Sequence, residues 1–376
     1  MNAGPSLSRG AAGIALLHIE RAHCGDGSWQ TAHSWVKTAT ATAISTADTT
    51  GLCYGLPAIA FTLHMAQADG TPRYGPALRR IDRAVAELTH RRVTRAEARI
   101  SRGELPAFAE YDLLYGLTGI GVHLLQHNPG NDALGCVLTY LVRLTEPLHT
   151  DDGFLPGWWT DHDPHNRQSQ GFPGGHANFG MAHGITGPLA LLACALRNGI
   201  TVNGHLDAIR TICTWLDTWR QDTKTGSWWP RWITRTDLRA GRLPQQRPPR
   251  PSWCYGTPGI ARAQQLAGIA TGDSNGQRMA EDALLGCLSD PAQLSLLTDT
   301  SLCHGWAGLY QTTWHTARDA LTPVIGQHLP QLAARLPKAP GNPGLLDGNT
   351  GTALALLTAK RNQLPASGWD ACLLIN

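Results

Sequence analysis

The sequence predicts an all-α protein, a single α/α toroid over residues 1–376 with seven inner helices ringed by outer helices. Two observations predict it. A unit of small loop, Gly-x-x-Gly and apolar run recurs along the chain, with first glycines at Gly10, Gly55, Gly116, Gly184, Gly256, Gly305 and Gly348. Such self-similarity marks a repeat architecture. The run after each first glycine is apolar on most sides, as a helix buried on most sides must be, whereas the segments between alternate apolar and polar residues at helical spacing. Buried helices alternating with half-buried ones imply two concentric rings.

Taken in order, Ile14-Ala15-Leu16-Leu17 begins the inner ring. The second unit, Gly55-Leu56-Pro57-Ala58, carries alanine for its second glycine, and Arg79 to Leu88 follows as an amphipathic outer segment. Ile120 to Leu125, Leu189 to Cys194 and Ala353 to Leu357 are further inner runs, and Leu206 to Trp219 is outer. Only six outer helices fit between seven inner ones. One outer helix is therefore missing at the N-terminus, through an irregular closure or a truncated start. Trp369 to Asn376 reads as a short closing segment. Long connections fall at about 90–111, 149–179 and 221–251, each ahead of a Gly-x-x-Gly. They share the face of the inner-helix N-termini, where long loops on a rigid scaffold place a site. Small residues at each helix start let seven helix ends crowd together there.

Composition narrows the function. Hydrophobic residues make up 42% and charged residues 16% of the 376, so the chain is globular. A net charge of +3 is too mild to argue for a nucleic-acid partner. Nine cysteines, an odd number in a long chain, argue against a disulfide framework and for a reducing compartment. The apolar run Ala11 to Leu17 is cut short by Glu20 and Arg21 and has no signal-peptide cleavage pattern. No segment reaches about 18 uninterrupted apolar residues. The expectation is a cytoplasmic protein without a transmembrane segment.

Aligning the seven units on their first glycine collects the chemistry. The preceding residues are Arg9, Tyr54, Tyr115, His183, Tyr255, His304 and Asp347; two before the glycine stand Ser8, Cys53, Leu114, Ala182, Cys254, Cys303 and Leu346. Cys254, Cys303 and His304 fall in consecutive units and are neighbours in the ring. Two thiolates and an imidazole suit one tetrahedral zinc with a fourth position open, the arrangement of a catalytic site. Helix N-termini also favour thiolates. Cys53 occupies the same loop position but reads as a relic of the repeat, and Cys24, Cys136, Cys194, Cys213, Cys287 and Cys372 read as packing residues. His183 is placed for acid/base work or as a structural histidine. Asp112 fits a functional position or a helix N-cap, and Arg250 a functional position or a solvated loop.

These residues resemble the lanthionine synthetase C-like family, the cyclases of lanthipeptide biosynthesis. Trp253-Cys254-Tyr255-Gly256-x-Pro258-Gly259, Cys303-His304-Gly305-x-x-Gly308 and Gly180-x-Ala182-His183-Gly184-x-x-Gly187 match its motifs. So do Glu110-Tyr111-Asp112, Arg250 and Gly344-Leu345-Leu346-Asp347-Gly348. The N-terminus departs from the family by being short. The resemblance implies that Cys254, Cys303 and His304 bind Zn2+, one per chain, with His183, Asp112 and Arg250 around the reaction. That reaction adds a cysteine thiol to dehydroalanine or dehydrobutyrine within a precursor peptide, giving a lanthionine or methyllanthionine thioether. His183 would protonate the α-carbon and Arg250 stabilise the enolate, while Asp112 would orient His183 or take the thiol proton.

A dehydrated leader-core peptide is the implied partner, with a dehydratase and a transporter in a complex that would bring the protein to the membrane periphery. Trp158, Trp159, Trp228, Trp229 and Trp232 would line a peptide groove or cap the core, and Arg91, Arg92, Arg95, Arg99 and Arg102 would meet an acidic leader or form a solvated face. Rival readings are a glycosidase, which needs paired carboxylates, a zinc prenyltransferase, and a related protein that binds thiols, zinc or peptides without cyclising them.

Overall fold

The computed structural model describes residues 4–150, 153–336 and 342–376. Helix α1 (Ala11–His23) packs under α2 (Trp29–Ala39), and α3 (Leu56–Met65) under α4 (Gly75–Ser101). One-turn α5 (Phe108–Tyr111) leads into α6 (Leu117–His127), covered by α7 (Asp132–Arg143). Then α8 (Thr186–Arg197) lies under α9 (His205–Thr218), and after the short α10 (Arg235–Ala240), α11 (Thr257–Thr271) lies under α12 (Ser274–Leu288). A single turn, α13 (Pro291–Leu294), precedes α14 (Trp306–Asp319), backed by the short α15 (Leu329–Ala333), and α16 (Asn349–Arg361) is the last helix of the inner ring. Helices α1, α3, α6, α8, α11, α14 and α16 each touch the next, and α16 touches α1, so seven inner helices close the ring.

The expected shortage of one outer helix does not open the ring, because α16 meets α1 directly. Instead the closing segment turns into the toroid. Trp369, Leu373 and Ile375 are fully buried there. Polar groups of the inner helices hold it. Glu20 accepts from the Ala366 and Ser367 amides and the Ser367 hydroxyl, and Asp370 accepts from Gln311 and His315. Arg262 donates to the Ile375 carbonyl at 2.7 Å and Trp253 to that of Leu373 at 2.9 Å. Buried charges are tolerable because they are paired in this way.

Two of the expected loops carry small antiparallel sheets. Strands β1 (Leu148–Thr150) and β2 (Gly153–Leu155) form one hairpin, and β4 (Gln221–Thr223) and β5 (Gly226–Trp228) another. Strand β3 (His176–Asn178) pairs with β6 (Trp232–Thr234), with Asn178 opposite Trp232, and so ties loop 149–179 to loop 221–251. The third expected loop is wrong over most of its length. Helix α4 continues to Ser101, burying Val85, Leu88, Thr89, Arg92, Val93, Ala96 and Arg99. That stripe has helical spacing, but two of its members are arginines. Arg92 donates to the carbonyls of Thr50, Ala109 and Tyr115, and Arg99 to Glu110. Arg91 pairs with Asp48 and Arg102 with Glu104. The arginine cluster is thus engaged in holding α4 to its neighbours, and the leader-binding reading fails for Arg92 and Arg99.

The seven loops converge for a reason the repeat itself supplies. A circle of backbone hydrogen bonds of 2.9–3.3 Å joins each loop to the next: Leu7 to Cys53, Cys53 to Leu114, Leu113 to Ala182, Ala182 to Cys254, Cys254 to Cys303, Cys303 to Leu346 and Leu346 to Ser8. Below it Leu7, Leu52, Leu113, Met181, Trp253, Leu302 and Leu345, three residues before each first glycine, form a fully buried layer.

In six of the seven units the second glycine gives this layer its room. A Cβ on Gly308 would overlap the Leu302 carbonyl and meet Trp253 of the preceding unit at 3.4 Å. The glycine therefore lets its own loop fold back onto the helix as well as letting helix ends crowd. Gly308→Ala is expected to cost about 1–3 kcal/mol or more through overpacking. Urea denaturation with the midpoint unmoved would refute this.

Candidate metal and catalytic site

Four of the seven loops turn on the side chain four before the glycine. The side chains of Ser6, Asp112, Ser252 and Ser301 accept from the backbone N–H three residues on, at Arg9, Tyr115, Tyr255 and His304. This local capping frees the following side chain to face the mouth. Neighbouring mouth residues meet: Tyr115 stacks on His183 with ring centroids 6.0 Å apart, Tyr255 lies 6.2 Å from His183, and Arg9 bridges to Asp347 at 2.9 Å.

Cys254, Cys303 and His304 come together as expected. Their ligand atoms lie within 4.8 Å of one another. The Cys254 amide donates to the Cys303 carbonyl at 3.2 Å, so the backbone circle sets the spacing of the two thiols. Cys254 is held well below the usual thiol range, first by a hydrogen bond from Cys303, against the effect of burial, with His304 and Ser252 adding to it. Cys303, as donor to Cys254 and through burial, is pushed well above that range. The His304 imidazole is raised by its hydrogen bond to Cys254, opposed by burial and supported by Asp299. Two close thiols that cannot both ionise unaided, with an imidazole against them, fit a soft divalent cation: both sulfurs would ionise on binding it. Cys53, at the equivalent position, stands outside this group, and burial pushes its thiol up.

Two carboxylates flank His304. Asp299 Oδ2 lies 3.4 Å from Nε2, and Asp347 Oδ1 lies 3.9 Å from Nδ1. Burial pushes Asp299 up, but the Ser301 hydroxyl and amide, His304 and Arg250 more than reverse it and hold the carboxyl below its usual range. Asp299 was not singled out from the sequence. It stands six residues before Gly305, beyond the aligned positions, and of the other six loops only that of Gly116 carries a carboxylate in register with it, Glu110.

His183 and Asp112 form a dyad. His183 Nδ1 donates to Asp112 Oδ2 at 2.6 Å, and Asp112 Oδ1 accepts from the amides of Tyr115 and Gly116, both at 2.7 Å. Asp112 is thus a cap and a partner of His183 at once, and it is fully buried. Phe108 packs 4.9 Å from the imidazole. A cavity of about 660 Å³ lies on one side of His183, walled by Phe108, Glu110, Tyr115 and Arg95. A second of about 300 Å³ lies on the other, walled by Arg231, Trp232, Arg250 and Tyr255. His165 and His183 line both. Arg250 thus shares a cavity with His183, and its Nε is buried without a hydrogen-bond partner among the described residues. Of the five tryptophans offered for a groove, Trp158, Trp159, Trp228 and Trp229 are at most 2% exposed and belong to the core. Trp232 alone of the five walls the cavity, because β6 pairs with β3 beside it.

Comparisons with known proteins bear on the family and the fold. A family model described as lanthionine synthetase C-like protein matches residues 2–374. The nisin biosynthesis protein NisC of Lactococcus lactis subsp. lactis is 26% identical over 207 residues, which is 54% of this chain and 48% of that protein. The match spans about half the length of that curated relative. A solved structure, nisin cyclase, superposes with a TM-score of 0.82 over 98% of this chain and 92% of its own, at 21% identity, and shows the same fold.

Proposed function

The chain belongs to the lanthionine synthetase C-like family, and from that premise we propose that it is a zinc-dependent lanthipeptide cyclase. The observation that carries this reading is the meeting of Cys254, Cys303 and His304 beside the His183–Asp112 dyad at one mouth. Cys254, Cys303 and His304 would hold one Zn2+, which when bound makes a substrate cysteine ionise near neutral pH and keeps it nucleophilic.

The chain's own residues supply the rest. The peptide lies along the two cavities that His183 separates, between Phe108, Tyr115, Tyr255 and Trp232. The cysteine sulfur bonds to the β-carbon of a dehydroalanine or dehydrobutyrine, and the alkene electron pair moves onto the adjacent carbonyl as an enolate. Arg250, with a guanidinium nitrogen unengaged, faces that charge. His183 uses Nδ1 on Asp112, which leaves Nε2 to deliver the proton to the α-carbon. Asp112 orients His183. Its burial and its three hydrogen bonds favour this role over taking the thiol proton. The balance is one S–H and one C=C consumed, one C–S and one C–H formed, with no change of mass.

The implied partners are a dehydrated leader-core peptide and, in a biosynthetic complex, a dehydratase and a transporter. Among the described residues no helix is long and apolar enough to cross a membrane. The test incubates the protein with a dehydrated precursor peptide carrying free cysteines. The peptide is expected to keep its mass while losing the capacity to react with N-ethylmaleimide. A thiol count equal to that of the enzyme-free control rejects cyclisation and leaves the non-cyclising binder.

A further inference from the structure

A second group of metal-binding side chains lies at the far end of the inner helices, away from the mouth. His64 is the penultimate residue of α3, His123 and His127 occupy the end of α6, and Asp82 faces them from outer helix α4. His64 Nε2 donates to Asp82 Oδ1 at 2.8 Å, and His123 Nε2 lies 3.9 Å from the same oxygen. The ligand atoms of His64, Asp82 and His123 all lie within 4.8 Å of one another. His127 stacks on His64 with ring centroids 4.2 Å apart and lies 5.3 Å from the His123 ring.

Hydrogen bonding does not account for this grouping. His123 is 2% exposed, yet its Nδ1 has no hydrogen-bond partner among the described residues, and neither has the buried Nε2 of His127. Leaving such an atom unsatisfied carries a desolvation penalty. The crowded imidazoles therefore keep ring nitrogens open to a ligand. His123 and His127 stand four apart on one helix, a spacing that places both on one face.

We propose that His64, Asp82 and His123 form a second divalent-metal site, in the wall of the ring, with His127 as the adjacent imidazole. Imidazole and carboxylate donors without thiolate suit Zn2+, Co2+ or Ni2+. A metal there joins two inner helices to an outer one, a structural staple separate from the mouth.

The test saturates the full-length wild type and a His64→Gln/Asp82→Asn variant with Co2+, then removes unbound metal. Thiolate charge-transfer absorption reports the cysteine site independently. The wild type is expected to retain about one Co2+ equivalent without thiolate character, and the variant to lose that equivalent with its thiolate band unchanged. A wild type holding no thiolate-free equivalent overturns the proposal, as does a variant that keeps it. If the variant lacks the wild-type circular dichroism spectrum, proton NMR of Co2+-loaded wild type decides. At least two histidine rings besides His304 should then be paramagnetically shifted, and their absence overturns the site.

Discussion

Cys254→Ala is expected to abolish thiolate-ligated metal and cyclisation together. Cys254 is the accepting partner of both Cys303 and His304 and is held in place by the backbone circle, so its loss removes the donor the other two converge on. Outer-shell partners of metal ligands already cost about 10–100-fold in metal affinity or activity when removed, and loss of a ligand should exceed the upper end of that range. Cys303→Ala should behave alike. Cys53→Ala is the control, since Cys53 has the equivalent loop position but lies outside the donor group. The readout is the thiolate charge-transfer band of the Co2+-loaded protein beside turnover, so that metal held by histidines elsewhere is not counted. A Cys254→Ala protein with an undiminished band would remove the proposed zinc site.

His183→Ala should separate the metal from the chemistry. The imidazole touches none of the three donors closely enough to join their group, so the thiolate band should persist. Turnover should fall by about 10²–10⁴-fold, the usual contribution of a placed general acid or base. Asp112→Asn tests the positioning role. Its amide oxygen can still accept from the Tyr115 and Gly116 amides, but its NH2 would face His183 Nδ1 and force the proton onto Nε2. The loop should keep its turn while kcat falls, KM changes little and the pH profile alters. Ring formation at the wild-type rate in His183→Ala would refute the acid/base role.

The glycosidase reading gains a carboxylate from Asp299 yet loses Asp112, which is fully buried with both oxygens engaged. The mouth offers sulfur chemistry flanked by carboxylates that face His304, not a pair of carboxylates free to flank a sugar.

Legibility in the sequence followed the reach of the interactions. The toroid and its seven inner helices could be read because apolar period and glycine spacing are local signals that recur in every unit. The donor group Cys254, Cys303 and His304 could be read for the same reason: near-equivalent loops in consecutive units become neighbours once the ring closes. Where the units differ, that inference failed. Arg92 looked solvent-facing beside its charged neighbours, but its three acceptors lie at Thr50, Ala109 and Tyr115, on segments that only folding brings to α4. Trp158, Trp159, Trp228 and Trp229 sit in long loops whose burial depends on sheets specific to those loops. His64, Asp82 and His123 come from three helices with no common motif.

The sequence by itself determined the repeat, the two rings and which side chains ring the mouth, because periodicity and covalent order are written residue by residue. Only the tertiary structure decided the partners: the circle of hydrogen bonds that spaces Cys254 from Cys303, Asp112 divided between its own loop and His183, and the closing segment folded into the ring. Those contacts join residues far apart in the chain, and their geometry exists only after the chain has closed on itself.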